Sequence, residues 1–285
     1  MSQAGKLVIC PTPIGNLGDM TQRALDSLRA ADVVCAEDTR VTGRLLAAFG
    51  IEKRLERLDE ASISWAATAL IDRIAAGEVI AYCSDAGMPG VSDPGQRLVA
   101  AAHEAKVTVE VLPGPTATAT AYVASGFVCP RFYFGGFFPR KEAERASVLE
   151  NLRTLDAVLL FYESPRRTAS ALRSIANVLP QREVALCREL TKMHEEVFRA
   201  LSPQVAEEFT QREETGSIKG EVVIVVDAPT AAEQETDTFD AAAAACVRAA
   251  ELKSQGTLSK KDITKALQVE FGIARNVAYD IVLHG

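Results

Sequence analysis

Val79-Ile80-Ala81-Tyr82-Cys83-Ser84-Asp85-Ala86-Gly87-Met88-Pro89-Gly90-Val91-Ser92-Asp93-Pro94-Gly95 is the stretch on which the fold turns. Its first five residues are an apolar run, and a helical pattern follows from Gln96 to about Ala105. Between them, three glycines and two prolines in twelve residues exclude a helix interior or a central strand. Strand, loop and helix in that order predict an α/β unit. Such folds bind ligands outside the carboxyl ends of their strands. An ordinary strand-to-helix turn is the competing reading, but such connections typically take about 2–6 residues. Glycine also lets a ligand approach the backbone, because no Cβ stands in the way.

The same alternation extends in both directions. Upstream, Leu7-Val8-Ile9-Cys10 reads as a strand and leads into the turn-rich loop Pro11-Thr12-Pro13-Ile14-Gly15-Asn16-Leu17-Gly18. Asp19, with Gln22 three places on, is the expected N-cap of the next helix. Val33–Ala36 is a second strand, ending in Glu37-Asp38-Thr39-Arg40 ahead of a helix over about 42–49. A short strand near 54–58, a helix over about 62–76 and, beyond the opening loop, strand 107–112 complete the first set. That strand ends at Pro113-Gly114-Pro115-Thr116-Ala117. This order predicts a mostly parallel sheet covered on both faces.

The pattern restarts near 125–131. Phe132-Tyr133-Phe134 reads as core strand rather than as a base-stacking platform, and a charged helix is expected over 142–153. Ala157–Phe161 is a buried strand ending in Tyr162-Glu163-Ser164-Pro165-Arg166-Arg167. Strands at 183–188 and near 197–198, a helix at 203–213 and the strand Val222–Val226 make a second α/β unit. Residues 228–238, polar and aperiodic, read as a linker. A small helical unit follows, one of its helices capped by Ser259 with Asp262. The expected division is 1–124, 125–228 and 239–285.

Bulk properties narrow the classes. With 285 residues and 48% hydrophobic content, the chain suits a globular protein with a sizeable core. No apolar run reaches the roughly 20 residues of a membrane span. The chain enters its first strand at Lys6 without a basic-then-apolar leader, so no signal peptide is expected. The six cysteines are scattered without a C-x-x-C pair, which argues against a disulfide scaffold or zinc ribbon and fits a reducing cytoplasm. Net charge is −7, yet residues 131–199 carry 12 Lys and Arg against 9 Asp and Glu, a local surplus able to meet phosphates.

Several chemistries are missing. There is no P-loop and no G-x-G-x-x-G fingerprint. Gly90-Val91-Ser92-Asp93-Pro94 lacks the closing glycine of a nucleophile elbow. The three histidines form no H-E-x-x-H, and no metal is expected. What remains is a row of turn-rich loops at strand ends, suited to a ligand held through backbone groups.

Those loops, taken together, resemble the tetrapyrrole-methylase superfamily of S-adenosylmethionine (SAM)-dependent methyltransferases. The resemblance is carried by Pro11–Leu17, Ala36-Glu37-Asp38-Thr39-Arg40, Ser84-Asp85-Ala86-Gly87, Asp93-Pro94-Gly95, Leu112–Pro115, Phe161-Tyr162-Glu163-Ser164 and Arg188-Glu189-Leu190-Thr191-Lys192. Within the superfamily they are most similar to the ribosomal RNA small-subunit branch, which methylates a cytidine 2′-hydroxyl of 16S ribosomal RNA. The resemblance implies two α/β domains with SAM in the cleft between them, a small helical C-terminal unit, a homodimer and the 30S subunit as partner. It places SAM against Pro11, Asp85, Ala86, Gly87, Pro113, Gly114, Thr116, Ala117, Tyr162, Leu190 and Gly220. Asp38, Glu163 and Glu189 become candidate bases, and Arg40, Arg188 and Lys192 candidate holders of charge. Arg140, Lys141, Arg166, Arg167, Lys260 and Lys261 would meet RNA. A helix N-cap with a local ion pair competes for Asp38 and Arg40, and a buried pair competes for Arg188 and Glu189. Two departures stand out: Met88 replaces the branch's usual threonine, and Leu58-Asp59-Glu60-Ala61-Ser62 lacks its usual histidine. A tetrapyrrole-type small-molecule methylase and a non-catalytic SAM- or RNA-binding module are the alternatives.

Overall fold

Strands β2 (Val33–Ala36) and β4 (Val79–Cys83) are buried at every position, as strands covered on both faces must be. In the computed structural model, which describes residues 5–216, 218–255 and 258–284, they lie side by side in the first of two sheets. With β1 (Lys6–Ile9), β3 (Leu55–Arg57) and β5 (Thr108–Val111) the order is β3-β2-β4-β1-β5, and every pairing is parallel. Helices α1 (Gln22–Ala30) and α2 (Thr39–Ala48) pack on one face, through Leu25, Leu28 and Leu46 against Val8, Val34 and Ala81. Helices α3 (Ile63–Ala75) and α4 (Gly95–Glu104) cover the other, through Ile63, Leu70 and Leu98 against Leu7, Ile80 and Tyr82. This arrangement sends every strand-end loop to the same carboxyl edge. The cap of α1 is Thr21, which accepts from the Ala24 amide at 3.1 Å, and not Asp19. Asn16 caps a short 3₁₀ turn over Leu17–Asp19, and that extra turn consumes Asp19 before the helix starts.

The second sheet is mixed rather than mostly parallel. It comprises β6 (Phe132–Phe137), β7 (Val158–Glu163), β8 (Glu183–Arg188), β9 (Glu196–Leu201) and β10 (Val222–Val226), in the order β6-β7-β10-β8-β9. Only β6 and β7 run parallel. The short segment between β8 and β9 can close a hairpin but not a crossover, and β10 inserts antiparallel between β7 and β8. Helices α6 (Glu142–Leu152), α7 (Thr168–Val178) and α8 (Ser202–Glu214) bury one face. Helix α5 (Ala117–Ser125) buries the other, with Ala121 among Leu160, Cys187, Val223 and Val225. The expected boundary at 124/125 therefore falls inside a helix that belongs to the second sheet's packing. Ile14, from the loop after β1, joins that same cluster and links the two sheets. Phe132 and Tyr133 are exposed on edge strand β6, not core, and Phe132 leans on Tyr122 with ring centroids 4.9 Å apart.

Most of the expected linker 228–238 is helical: α9 (Ala231–Gln255) takes up that stretch from Ala231 onward. Thr230 and Glu233 start it with reciprocal bonds, the Thr230 amide to Glu233 Oε2 at 2.9 Å and the Glu233 amide to Thr230 Oγ1 at 3.2 Å. Ala, Glu and Gln favour the helix by propensity, and Ala241, Ala245, Ala249 and Leu252 give it an apolar face further along. Helix α10 (Lys260–Phe271) has the expected Ser259 cap and ends at Gly272 with φ +65°. With α11 (Arg275–His284) these helices form a core of their own around Ala249, Leu267 and Val282. All six cysteines are free. No described helix is long and apolar enough to cross a membrane.

Arg182 ties this helical unit to the second sheet. It is fully buried, bonds the carbonyls of Arg153 and Asp227, and pairs with Glu233 at 3.3 Å. Removing one partner of a buried ion pair costs roughly 3–5 kcal/mol. Arg182→Ala should lower the unfolding free energy by about that amount in a urea titration followed by circular dichroism.

Candidate functional site

A cavity of about 360 Å³ opens at the carboxyl edge, where loops of both sheets meet. From the first sheet come Ile14, Ala86, Gly87, Met88 and Val91; from the start of α5 come Thr116 and Ala117. Phe137 and Tyr162 to Pro165 form the β6–β7 wall, and Cys187, Leu190 and Gly220 to Val223 form the β8–β10 floor. Of the expected donor-binding residues, Ala86, Gly87, Thr116, Ala117, Tyr162, Leu190 and Gly220 line it. Pro11, Asp85, Pro113 and Gly114 are not among the lining residues; a Cβ on Gly114 would collide with the Pro11 ring.

The loop after β4 is held by backbone and carboxylate bonds. Thr12 and Gly87 exchange amide–carbonyl bonds of 2.9 and 3.0 Å. Gly87 has φ +80°, and a Cβ there would sit 3.2 Å from Ile14 Cγ2. Asp93 accepts from the Gly90 and Gly95 amides at 2.8 Å, closing the glycine-rich turn on itself. Asp85 accepts from the Asp38 amide at 3.0 Å, joining this loop to the end of β2. Across the cavity, the Tyr162 hydroxyl is engaged with Thr118 Oγ1 at 2.8 Å, and its ring lies edge-on to Phe134 and Phe137.

The charged candidates separate by what they touch. Asp38 is the N-cap of α2: it accepts from the Arg40 amide at 2.8 Å and pairs with the Arg40 guanidinium at 2.7 Å. Those bonds hold its carboxyl below the usual carboxylate range. Glu163 is completely buried as a side chain: Oε1 takes Arg167 at 2.5 Å and the Ser164 amide at 2.7 Å, and Oε2 is without partner or solvent contact. It braces the turn that presents Ser164 and Pro165, and Arg167 is spent on it rather than offered to RNA. Arg188 pairs not with Glu189 but with its cross-strand neighbour Glu196, at 3.0 Å, because β9 returns alongside β8.

Glu189 accepts from Lys192 Nζ at 2.8 Å and from the Glu221 amide at 2.9 Å, and Lys192 also reaches Glu221 at 2.9 Å. The Lys192 stem crosses Gly15, where a Cβ would be 2.5 Å from its Cγ. One clasp thus joins loops 189–192, 220–221 and 11–18. Arg140, Lys141, Arg166, Lys260 and Lys261 are exposed, Lys141 with a local partner in Glu144.

The sequence reading missed Ile14, Phe137, Cys187 and Val222 as lining. They look like core apolar residues in one dimension, and only the meeting of two strand edges gives them a cavity to face. The lining has no Lys or Arg, an apolar floor, and bare backbone at Gly87 and Gly220. That suits a nucleoside-bearing ligand without phosphates, in a volume within the usual range of small-molecule sites, about 300–1,000 Å³. Among the described residues no group of His, Cys, Asp or Glu is placed to hold a metal.

Residues 6–206 match the family model described as Tetrapyrrole (Corrin/Porphyrin) Methylases. The chain belongs to this family. Among its methylase relatives, a protein of Escherichia coli O157:H7 named ribosomal RNA small subunit methyltransferase I is 39% identical over 284 residues, covering 98% of this chain and 95% of that one. One of the same name from Thermotoga maritima is 40% identical over 214 residues, covering 75% of this chain and 96% of that one. The methylase fold recurs in solved structures of diphthine synthase (TM-score 0.61, 15% identity, 81% of this chain and 93% of that one) and cobalt precorrin-4 methyltransferase (0.57, 17%, 78% and 94%).

Gly87→Val should fold, since a left-handed strain of roughly 1–3 kcal/mol is within an ordinary domain's stability, yet lose at least about tenfold in SAM affinity by calorimetry, because the side chain displaces Ile14. Lys192 holds the Glu189 carboxyl below its ordinary value of 4.5. Its contribution to stability is therefore present above that value and lost as pH falls through the lowered one. The stability gap between wild type and Lys192→Met should shrink as pH is taken from about 6 to about 3, measured by thermal unfolding.

Proposed function

We propose that this chain is a SAM-dependent methyltransferase that acts on the small-subunit ribosomal RNA, adding a methyl group to the 2′-hydroxyl of a cytidine in 16S RNA. The observation that carries this is the cavity itself. It is walled by loops of both sheets, open to backbone contact and free of basic side chains, in a tetrapyrrole methylase whose relatives of similar length are named for this modification. SAM, when bound, supplies a methyl group activated on a sulfonium. Ala86, Gly87, Thr116, Ala117, Tyr162, Leu190 and Gly220 are the residues assigned to hold it, with Pro11, Asp85, Pro113 and Gly114 fixing their loops. The apolar floor of Ile14, Cys187 and Val223 excludes water from the donor.

Arg40 in the first turn of α2, Arg140 and Lys141 just before α6 and Arg166 in the turn after β7 are assigned to RNA phosphates, as are Lys260 and Lys261 on the helical unit. Phosphate contacts of this kind orient the strand without reading its sequence. We assign the α/β units to 1–124 and 125–228, with α5 handed to the second by packing, and the helical unit to 239–285 extended upstream by α9. A homodimer working in the cytoplasm completes the reading.

The test is transfer of radiolabelled methyl from SAM to 30S subunits that lack the modification. The expected result is stoichiometric incorporation at one cytidine ribose, located by its resistance to alkaline cleavage. SAM binding without incorporation into RNA, or transfer to a porphyrinogen instead, would overturn the assignment.

A further inference from the structure

We propose that Glu37, at the carboxyl end of β2, is the proton acceptor for the ribose hydroxyl, an assignment that rests on the ribose-methyltransferase reading above. Its place follows from the strand order. β2 and β4 are parallel neighbours with Ala36 opposite Cys83, and the Glu37 amide donates to the Cys83 carbonyl at 3.4 Å. Glu37 therefore stands beside the first residue of the loop whose Ala86, Gly87 and Met88 line the cavity. The side chain is half-buried.

The other carboxylates singled out at these strand ends have cationic or capping partners. Asp38 is taken by Arg40 and its cap, Glu163 pairs with Arg167 through Oε1 while its buried Oε2 on the cavity lining has no partner, and Glu189 is held by Lys192. Glu221 pairs with Lys192, and Asp93 is committed to the Gly90 and Gly95 amides. The three histidines are exposed, His103 near the end of α4, His194 in the loop before β9 and His284 at the end of α11, and none lines the cavity. The Glu-Asp pair thus divides its work: Asp38 starts α2, and Glu37 is left without a cationic partner.

The groups that face Glu37 are acidic: Asp85 and Asp93 from the loop after β4, and Asp59 from the end of β3. Burial first, then Asp85 and Asp93, push the Glu37 carboxyl up from its ordinary value, which raises its affinity for a proton. A second observation marks the same spot. The Tyr82 hydroxyl, fully buried and close enough to feel both Asp93 and Glu37, has no hydrogen-bond partner. Buried hydroxyls are normally bonded, so the group beside Glu37 has unused capacity for a proton relay.

The step balances as an in-line displacement. The ribose 2′-oxygen forms a bond to the methyl carbon as the sulfur–methyl bond breaks and its electron pair returns to sulfur. The hydroxyl proton passes to the Glu37 carboxylate and leaves to solvent at turnover. The leaving group is a neutral thioether.

Glu37→Gln, which keeps shape and removes basicity, is the test, with Glu37→Asp as the conservative control. Calorimetry reports SAM affinity, circular dichroism the fold, and methyl incorporation the turnover as a function of pH. Expected are SAM affinity within about twofold of wild type, kcat lowered by roughly 10²–10⁴-fold, loss of the acidic limb of the pH–rate profile, and partial recovery in Glu37→Asp. Turnover within twofold of wild type, an unchanged acidic limb, or a fall in SAM affinity or fold matching the fall in rate would each overturn the proposal. If wild type methylates no RNA, the broader reading fails. If wild type is active and Glu37→Gln equals it, only the role of Glu37 fails.

Discussion

The paired hydrogen bonds between Thr12 and Gly87 are the constraint on which the site depends. They join the loops that leave two adjacent parallel strands, so neither loop can move alone. Gly87 accepts this position because its backbone is left-handed, at φ +80°, where a side chain would press on Ile14. Ile14 in turn is buried in the cluster beneath α5 and the second sheet. A local backbone bridge thereby sets how the two halves of the cavity meet.

Ion pairs around the cavity mostly hold backbone in place. Lys192 fastens the turn after β8 to the segment before β10 and lies across Gly15 of the first sheet's loop. Glu163, on the wall, pairs with Arg167 and shapes the turn at Ser164 and Pro165. A charge committed to a partner is a poor acid or base, because the partner stabilises one protonation state. The rigidity of the cavity and the small number of chemically available carboxylates therefore have the same cause.

The departures from the family pattern now have surroundings. Met88 lines the cavity, so a thioether stands where a hydroxyl would have offered a hydrogen bond. Asp59, in the stretch without histidine, bonds Ser62 and Arg57 and helps start α3. It adds negative charge near Glu37. The helical unit, with its own core, is joined to the second sheet by the buried ion pair of Arg182 and Glu233.

From the sequence alone, the strands, most helices and the loops that line the cavity were legible, because apolar periodicity and glycine–proline punctuation are local signals. Ala86, Gly87, Tyr162 and Gly220 were readable as part of those loops for that reason. Local signals also misled. Residues 228–238 were polar enough to read as a linker, yet propensity and a Thr230–Glu233 cap make them helix. Asp19 had the right chemistry for a cap one turn too early. What only tertiary structure decided was partnership: β10 inserted antiparallel beside β7, Arg188 opposite Glu196, Arg167 turned inward to Glu163, and Glu37 left without a cationic partner beside Asp85. Those outcomes depend on which distant strands become neighbours, and hydrogen-bond register between strands far apart in the chain is not encoded in any one window of sequence.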